Sequence, residues 1–390
     1  MKILVLGCGM QGKAVLFDLS KSADVEEVIC ADVNPGNLGP FRDFLDMNKI
    51  KMVKLDVSEK EGLISLMRKG IDVAIDVLPP QSMQNVFEAA IEARVHLVNT
   101  NYGYAFRHLH KEAIERGVSI MPECGLDPGI DLVIYGHGVK EFDEIHVLNS
   151  YCGGLPEKKA CDNPLNYKIS WNWDAVLKSQ KREAVFLKDG KKVMISAEDQ
   201  HDNEMIGEID FPGLGKLEAF PNGNAVFFTD QLGITKTLKE TGRYSLRWPG
   251  WCAFWRPLKK FGFLSDEPLA GLPCEVTPYQ FMVKLLEPQM QYNDKEKDLA
   301  VMRNVFIGLK GGKKKRIVND LLIERDLKTG LLAMSLGVGY TASIVAQMIG
   351  EGDIDRRGIL SPTIDVPYES FMVGLRERGI QVHETEEVEG

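Results

Sequence analysis

The chain has 390 residues, 44% of them hydrophobic and 26% charged, with 47 Lys and Arg against 56 Asp and Glu and a formal net charge of −9. That length favours two domains, and the balance excludes a disordered chain, a collagen-like fibre and a disulfide scaffold. The acidic charge argues against nucleic acid as a partner. No apolar run reaches the roughly 18 residues that cross a bilayer, so no membrane span is expected. The seven cysteines are scattered without a CxxC pair, and Met1 runs straight into a strand with no room for a signal peptide. A cytoplasmic enzyme with reduced thiols and no bound metal is expected.

Lys2–Leu6 reads as a short buried strand that stops at Gly7-Cys8-Gly9-Met10-Gln11-Gly12. Ala14, Val15, Leu16 and Leu19 then recur at helical spacing. Strand, glycine turn and helix give a GxGxxG its meaning as a dinucleotide fingerprint. Gly7 permits the turn, Gly9 leaves room for a pyrophosphate, and Gly12 lets the helix press on the strand, with Met10 and Gln11 in the phosphate-facing first turn. A second strand, Val28–Ala31, closes with Asp32, 25 residues after Gly7. A carboxylate there accepts from ribose hydroxyls and repels a 2′-phosphate, so NAD is expected over NADP.

Further strands are expected at Lys51–Asp56, Val73–Val77, His96–Asn99 and Val118–Met121, with helices near Leu63–Met67 and Val86–Ala93. This alternation predicts an α/β fold, a Rossmann doubly wound parallel sheet with its ligand at the carboxyl ends of the strands. Asp56, Leu78 and Pro79 lie at that edge and complete the expected cofactor-binding set.

Beyond the sixth strand stand Gly125-Leu126-Asp127-Pro128-Gly129-Ile130-Asp131, then Ser150-Tyr151-Cys152-Gly153-Gly154-Leu155-Pro156, then Asn163-Pro164-Leu165-Asn166-Tyr167-Lys168-Ile169-Ser170-Trp171. In this order behind a GxGxxG, they resemble the saccharopine dehydrogenase family, whose glutamate-forming members carry GLDPGIDH, SYCGGLP and NPLGYKFSW. Leu246-Arg247-Trp248-Pro249-Gly250-Trp251 is similar to that family's LRYxGF, and Met290-Gln291-Tyr292-Asn293-Asp294 to its MQYxD. Two departures matter. The fungal glutamate-forming enzymes carry an arginine where this chain has Asp32, and the chain is short beside them. In both respects it looks more like L-lysine 6-dehydrogenase, a relative within the family.

The resemblance implies oxidation of a carbon bearing an amine. Hydride passes to the nicotinamide, water adds to the imine, and collapse gives 2-aminoadipate 6-semialdehyde. Glutamate leaves if the substrate is saccharopine, ammonia if it is lysine. It places catalytic positions on Tyr102, Asp127 and Cys152. Tyr102 would meet the amine or a carboxylate, or else simply pack. Asp127 would hold the ammonium or exchange a proton, or else cap the helix starting near Ile130. Cys152 reads as a wall of the site, since no covalent intermediate is needed. Arg247 suits a substrate carboxylate, with Tyr167 beside it and Lys168 as a second cation or a solvated lysine. Gly153 and Gly154 would let substrate and nicotinamide approach, or form a plain turn.

A first domain is expected at 1–125 together with 336–390, and an α+β substrate domain with a mixed, largely antiparallel sheet at 126–335. Strand-like runs there are Ala225–Phe228, Val301–Ile307 and Arg316–Glu324. Val338–Ile349 is expected as an amphipathic helix returning to the first domain, forming a cleft that closes over substrate. The basic run Lys310–Arg316 reads as a hairpin turn with cations facing solvent. The acidic end Glu384–Glu389 reads as a frayed tail. A homodimer is expected. The remaining alternative is a non-catalytic NAD-binding regulatory protein.

Overall fold

The computed structural model describes residues 1–272 and 274–389. Two compact units emerge, Met1–His137 with Met334–Gln381, and Gly138–Ala333 with Val382–Gly390.

The first unit opens with β1 (Lys2–Leu6), α1 (Met10–Lys21), β2 (Glu27–Asp32), β3 (Ile50–Lys54), α2 (Lys60–Met67), β4 (Val73–Asp76), α3 (Met83–Ala93), β5 (His96–Asn99), α4 (His110–Glu115), β6 (Ser119–Met121) and α5 (Ile130–Gly138). The strands lie in the order β6-β5-β4-β1-β2-β3, every pair parallel. This is the predicted doubly wound order, reversing direction between β1 and β4. Strands covered on both faces need side chains that are apolar throughout, and Ile3, Leu4, Val5 and Leu6 are all fully buried. One face packs Leu6, Ala31, Ala74 and Leu97 against Met67 of α2 and Val86 and Phe87 of α3.

The second unit begins with β7 (Glu144–Pro156) and α6 (Trp173–Ser179), then β8 (Ala184–Lys188), β9 (Lys191–Ile195), β10 (Gly207–Phe211) and β11 (Gly215–Pro221). It continues through α7 (Ala225–Gln231), β12 (Glu240–Arg247), α8 (Trp251–Lys260), α9 (Pro278–Leu286), β13 (Asp298–Lys310) and β14 (Lys313–Glu324). Its sheet runs β10-β11-β12-β7-β13-β14, antiparallel except for the β12–β7 pair, with β8 and β9 attached through β12. Ala225–Phe228, expected as a strand, instead opens α7. The Asn224 side chain accepts from the Phe227 N–H and caps a helix, deciding what a short apolar run leaves open between strand and buried helix.

The chain then returns through α10 (Ala333–Glu351), β15 (Gly358–Ile359), α11 (Pro362–Asp365) and α12 (Tyr368–Glu377) before ending in β16 (Val382–Val388). β15 adds a seventh parallel strand beside β6. α10 corrects one expectation. By length and composition it could cross a membrane, with mean hydropathy 1.2, yet 83% of that stretch is buried inside the protein. It is therefore a core helix, apolar nearly all round rather than amphipathic. A side chain at Gly339 would sit 2.6 Å from the Ala14 Cβ, so α10 lies tightly on α1. Arg378, at the C-terminal end of α12, donates to Asp18 of α1 at 2.7 Å. α5 goes with this unit rather than the second, because a Cβ at Gly136 would meet the Thr363 carbonyl oxygen at 1.9 Å.

The acidic C-terminus is not frayed, and it joins the second unit rather than the first. β16 pairs antiparallel with β14, from Lys315↔Val388 to Leu321↔Val382. The reason lies in the basic hairpin. Lys315 Nζ meets Glu386 at 3.1 Å and Glu141 at 3.3 Å, Arg316 meets Glu387 at 3.3 Å, and Lys314 meets Glu389 at 3.0 Å. Lys315 is only 5% exposed, so the hairpin's cations do not all face water. Exposed pairs of this kind are individually weak. Here they select the partner and register of an edge strand whose ladder supplies the hold.

Candidate active site

The glycine loop is built to hold a dinucleotide. Gly7 has φ +101, a conformation glycine adopts without strain. A Cβ at Gly12 would lie 2.0 Å from the Gly7 carbonyl oxygen, so α1 presses directly on the turn. A Cβ at Gly9 would meet nothing within 4 Å, leaving open space ahead of the helix. The first turn of α1, with Met10 41% exposed, carries no acidic residue that would oppose an anion. Gln11 Oε1 is buried without a hydrogen-bond partner. Asp32, at the end of β2, accepts from the N–H groups of Cys8 at 2.8 Å and Asn34 at 2.7 Å. It thereby fixes the glycine loop while keeping a negative charge beside it. These features fit a nicotinamide dinucleotide, which would lie with its phosphates on Gly7–Gly12 and its ribose toward Asp32. Asp56 accepts from the Ser58 N–H at 2.9 Å, which holds its carboxyl below the usual carboxylate range and ties it to the turn before α2.

The loops after β4, β5 and β6 are laced together. Leu78 stands beside the glycine loop, since a Cβ at Gly7 would lie 3.0 Å from its Cδ2. Pro79 follows it at the start of a short 3-10 turn. Asn101 Nδ2 donates to the Leu78 carbonyl at 3.0 Å, and the Cys124 N–H donates to the Asn99 carbonyl at 2.9 Å. The predicted Leu78, Tyr102 and Asp127 segments thus share one edge of the sheet. Tyr102 is half-buried, its ring 5.4 Å from that of Tyr104. Asp127 sits at the tip of a closed loop in which the Gly125 N–H donates to the Pro128 carbonyl at 2.8 Å. Asp131 accepts from the Gly129 N–H at 2.8 Å. A groove of about 670 Å³ lined by Asp18, Lys21, Gln347 and Arg378 lies at the other end of α1 and holds none of the predicted site residues.

A residue that sequence reading passed over underlies this edge. Asp76 is fully buried, accepting from the Leu78 N–H at 3.0 Å and from Asn99 Nδ2 at 2.8 Å. Burial raises its pKa to about 7. The folded state therefore holds this proton more tightly than the unfolded chain does. The resulting stability is complete below about pH 4 and is lost as pH rises through about 7, by roughly 4 kcal/mol for a shift of about three units. Thermal unfolding of the Asp76→Asn variant is expected to lose much of this decline between about pH 4 and 7; an unchanged slope would assign the proton to another group.

In the second unit, Cys152, Gly153 and Gly154 lie on β7, with Cys152 9% exposed. Gly153 does not leave room for a ligand, because a Cβ there would lie 2.2 Å from the Leu246 carbonyl oxygen of β12. Its absent side chain serves strand packing. Lys168 is also not a spare cation. It is 3% exposed and ion-paired with Asp162 at 2.7 Å and Glu296 at 2.9 Å. Two carboxylates satisfy its charge before any substrate arrives.

Arg247 has the opposite surroundings. It is 5% exposed and has no acidic partner among the described residues. Its guanidinium carbon lies 5.1 Å from the Tyr167 ring centre and 5.0 Å from that of Trp251. Nη1 donates to the Leu246 carbonyl at 2.7 Å, while Nε has no partner. Tyr167 is fully buried, held by a loop in which Asn163 Oδ1 accepts from the Leu165 N–H at 3.1 Å and Asn163 Nδ2 donates to the Tyr167 carbonyl at 2.8 Å. The Tyr292 hydroxyl is buried without a hydrogen-bond partner. Burial, then Asp298 and Tyr167, push the Tyr292 phenol far above its ordinary range. A buried cation and unpaired donors are costly unless an acceptor completes them, and a carboxylate is the acceptor they fit. Tyr292 was visible as part of a motif but not as a donor, because only the fold reveals that its hydroxyl is buried and unpaired.

Residues 3–121 match the family described as the saccharopine dehydrogenase NADP binding domain, and residues 125–380 the saccharopine dehydrogenase C-terminal domain. Saccharopine dehydrogenase [NADP(+), L-glutamate-forming] of Saccharomyces cerevisiae is 26% identical over 98% of this chain and 98% of its own. The mitochondrial alpha-aminoadipic semialdehyde synthase of Mus musculus is 26% identical over 97% of this chain but 47% of its own, so the chain spans about half the length of that relative. The solved structure of apo saccharopine dehydrogenase (L-Glu forming) from S. cerevisiae superposes with a TM-score of 0.85 at 25% identity, covering 99% of both chains. With both family domains matched between residues 3 and 380, the chain belongs to the saccharopine dehydrogenase family and is a nicotinamide-dependent dehydrogenase of amino-acid CH–NH groups.

Proposed function

We propose that this protein oxidises the C–N bond of saccharopine and releases L-glutamate and 2-aminoadipate 6-semialdehyde. The observation that carries this reading is the buried Arg247, with no ion-pair partner among the described residues, beside the Tyr167 ring and the unpaired Tyr292 hydroxyl. A glutamate arm brings two carboxylates to such a donor-rich site, whereas lysine brings one and leaves buried donors unmet. The name of the yeast relative supports the same substrate, and that of the mouse relative the same semialdehyde product. L-Lysine 6-dehydrogenase activity is the second reading, favoured by the acid at Asp32.

The bound nicotinamide supplies the hydride acceptor. The chain's own residues bind and move protons. Arg247 holds a substrate carboxylate and so fixes the amino acid's orientation. Asp127 and Tyr102 exchange protons with the substrate amine, which must be neutral to release hydride, and with the water that hydrolyses the imine. Cys152 contributes a wall.

The relatives lean toward NADP, through the description of the matched N-terminal domain and the name of the yeast enzyme. Asp32 supports NAD, because its carboxylate stands where a 2′-phosphate would add like charge. We hold to NAD on that ground. Rates of NADH and NADPH formation with saccharopine, and separately with lysine, test all three points. The expected result is NADH with one glutamate per turnover from saccharopine and little rate with lysine. Turnover of lysine alone would overturn the substrate, and faster reduction of NADP would overturn the cofactor.

A further inference from the structure

The residue that sets Tyr102 in place lies on a different loop from Tyr102 itself. Glu123 follows β6 and is fully buried. Its backbone N–H donates to the Asn101 carbonyl at 3.0 Å, and its carboxylate Oε1 accepts from the Gly103 N–H at 3.1 Å. One residue thus grips the chain on both sides of Tyr102, at the residue before it and the residue after it. Glu123 does so with φ +66, a left-handed conformation that side chains other than glycine disfavour and that persists where the surroundings over-determine it. The loop has no slack on the opposite side. A Cβ at Gly103 would lie 2.4 Å from the Pro122 ring, so Gly103 is pressed against the residue preceding Glu123. Further along, Asn101 is fixed by its N–H donating to Asn99 Oδ1 at 2.7 Å.

We propose that Glu123 is a positioning residue for the reaction: its buried carboxylate and backbone clamp Asn101 and Gly103 and so hold the Tyr102 phenol in its working place. This rests on the reading of Tyr102 as part of the site. The acceptor needed is an oxygen at Oε1, not a charge. Glutamine keeps that oxygen and alanine does not.

The test is a double-mutant cycle on steady-state rates, with dinucleotide affinity and thermal unfolding measured for each variant. Tyr102→Phe alone is expected to lower kcat by about 10-fold or more. Glu123→Ala is expected to lower kcat by a similar factor with dinucleotide Kd within about 2-fold, and Glu123→Gln to recover most of the rate. In the Tyr102→Phe background, Glu123→Ala is expected to cost less than about 2-fold more, since there is no phenol left to place. The same full loss in both backgrounds, or a glutamine variant as poor as alanine, overturns the proposal while leaving Tyr102 in the site. An unaffected Tyr102→Phe enzyme removes Tyr102 from the reaction, and the proposal with it. If Glu123→Ala does not fold, Glu123→Met, which keeps the volume without the acceptor oxygen, takes its place in the cycle with the same expected and overturning outcomes.

Discussion

The Gly9→Val variant is expected to lose at least ~100-fold in dinucleotide affinity, about 2.7 kcal/mol, with a melting temperature close to that of the parent in the absence of cofactor. Two observations separate these effects. Gly9 has φ −71 and ψ −160, extended backbone that valine adopts freely, and a Cβ there meets nothing within 4 Å. The folded chain therefore tolerates the side chain. The space it enters is the space ahead of the first turn of α1, where helix N–H groups await phosphate oxygens. Gly12 provides the contrast. Its Cβ would lie 2.0 Å from the Gly7 carbonyl oxygen, so Gly12→Ala forces helix and turn apart. That kind of overpacking costs roughly 1–3 kcal/mol, or several degrees in the melting of a unit this size. Binding titration together with thermal unfolding distinguishes the two glycines. A Gly9→Val protein that binds NAD as well as the parent would place the phosphates elsewhere.

That contrast also shows what the sequence could and could not disclose. The GxGxxG and the alternation behind it sufficed for a parallel, doubly wound sheet, because buried parallel strands write themselves as continuous apolar runs. The spacing to Asp32 reached a residue whose carboxylate does hold the glycine loop. Lys168 misled because a lysine in a recognisable motif reads as an available charge, and its partners Asp162 and Glu296 lie 6 and 128 residues away. Gly153 misled in the same way, since the obstacle that requires glycine is a carbonyl on β12. The C-terminal run Glu384–Glu389 looked like a tail for want of its partner, a basic strand some seventy residues earlier. Glu123 and Asp76 left no trace in local pattern, because their significance lies in loops that only the closed sheet brings side by side. Residues recognised by what they are were legible; those recognised by what they touch were not.

Arg247→Met is expected to raise the KM for saccharopine by about 150-fold, the equivalent of losing roughly 3 kcal/mol of charge-assisted hydrogen bonding to a carboxylate. Cofactor affinity should stay unchanged, because Arg247's contacts are with Leu246, Tyr167 and Trp251. The same substitution should leave the melting temperature of the ligand-free protein unchanged or higher. A guanidinium only 5% exposed, with an unpaired Nε and no ion-pair partner among the described residues, sits in the ligand-free protein at a desolvation cost that lowers its pKa. Contact with the faces of Tyr167 and Trp251 offsets part of that cost. Methionine fills similar volume without the charge and keeps contact with both rings. Stability gained together with binding lost marks a residue kept for its ligand rather than for the fold. Arg247→Lys discriminates further. It retains a positive charge but not the planar fork, and it should recover only a small part of the affinity if the carboxylate is held in bidentate fashion. Substrate titration, cofactor titration and thermal unfolding on the same two variants decide the matter. Lowered stability with an unchanged KM would instead make Arg247 a packing residue between two aromatic rings, and would remove the carboxylate site on which the choice of saccharopine rests.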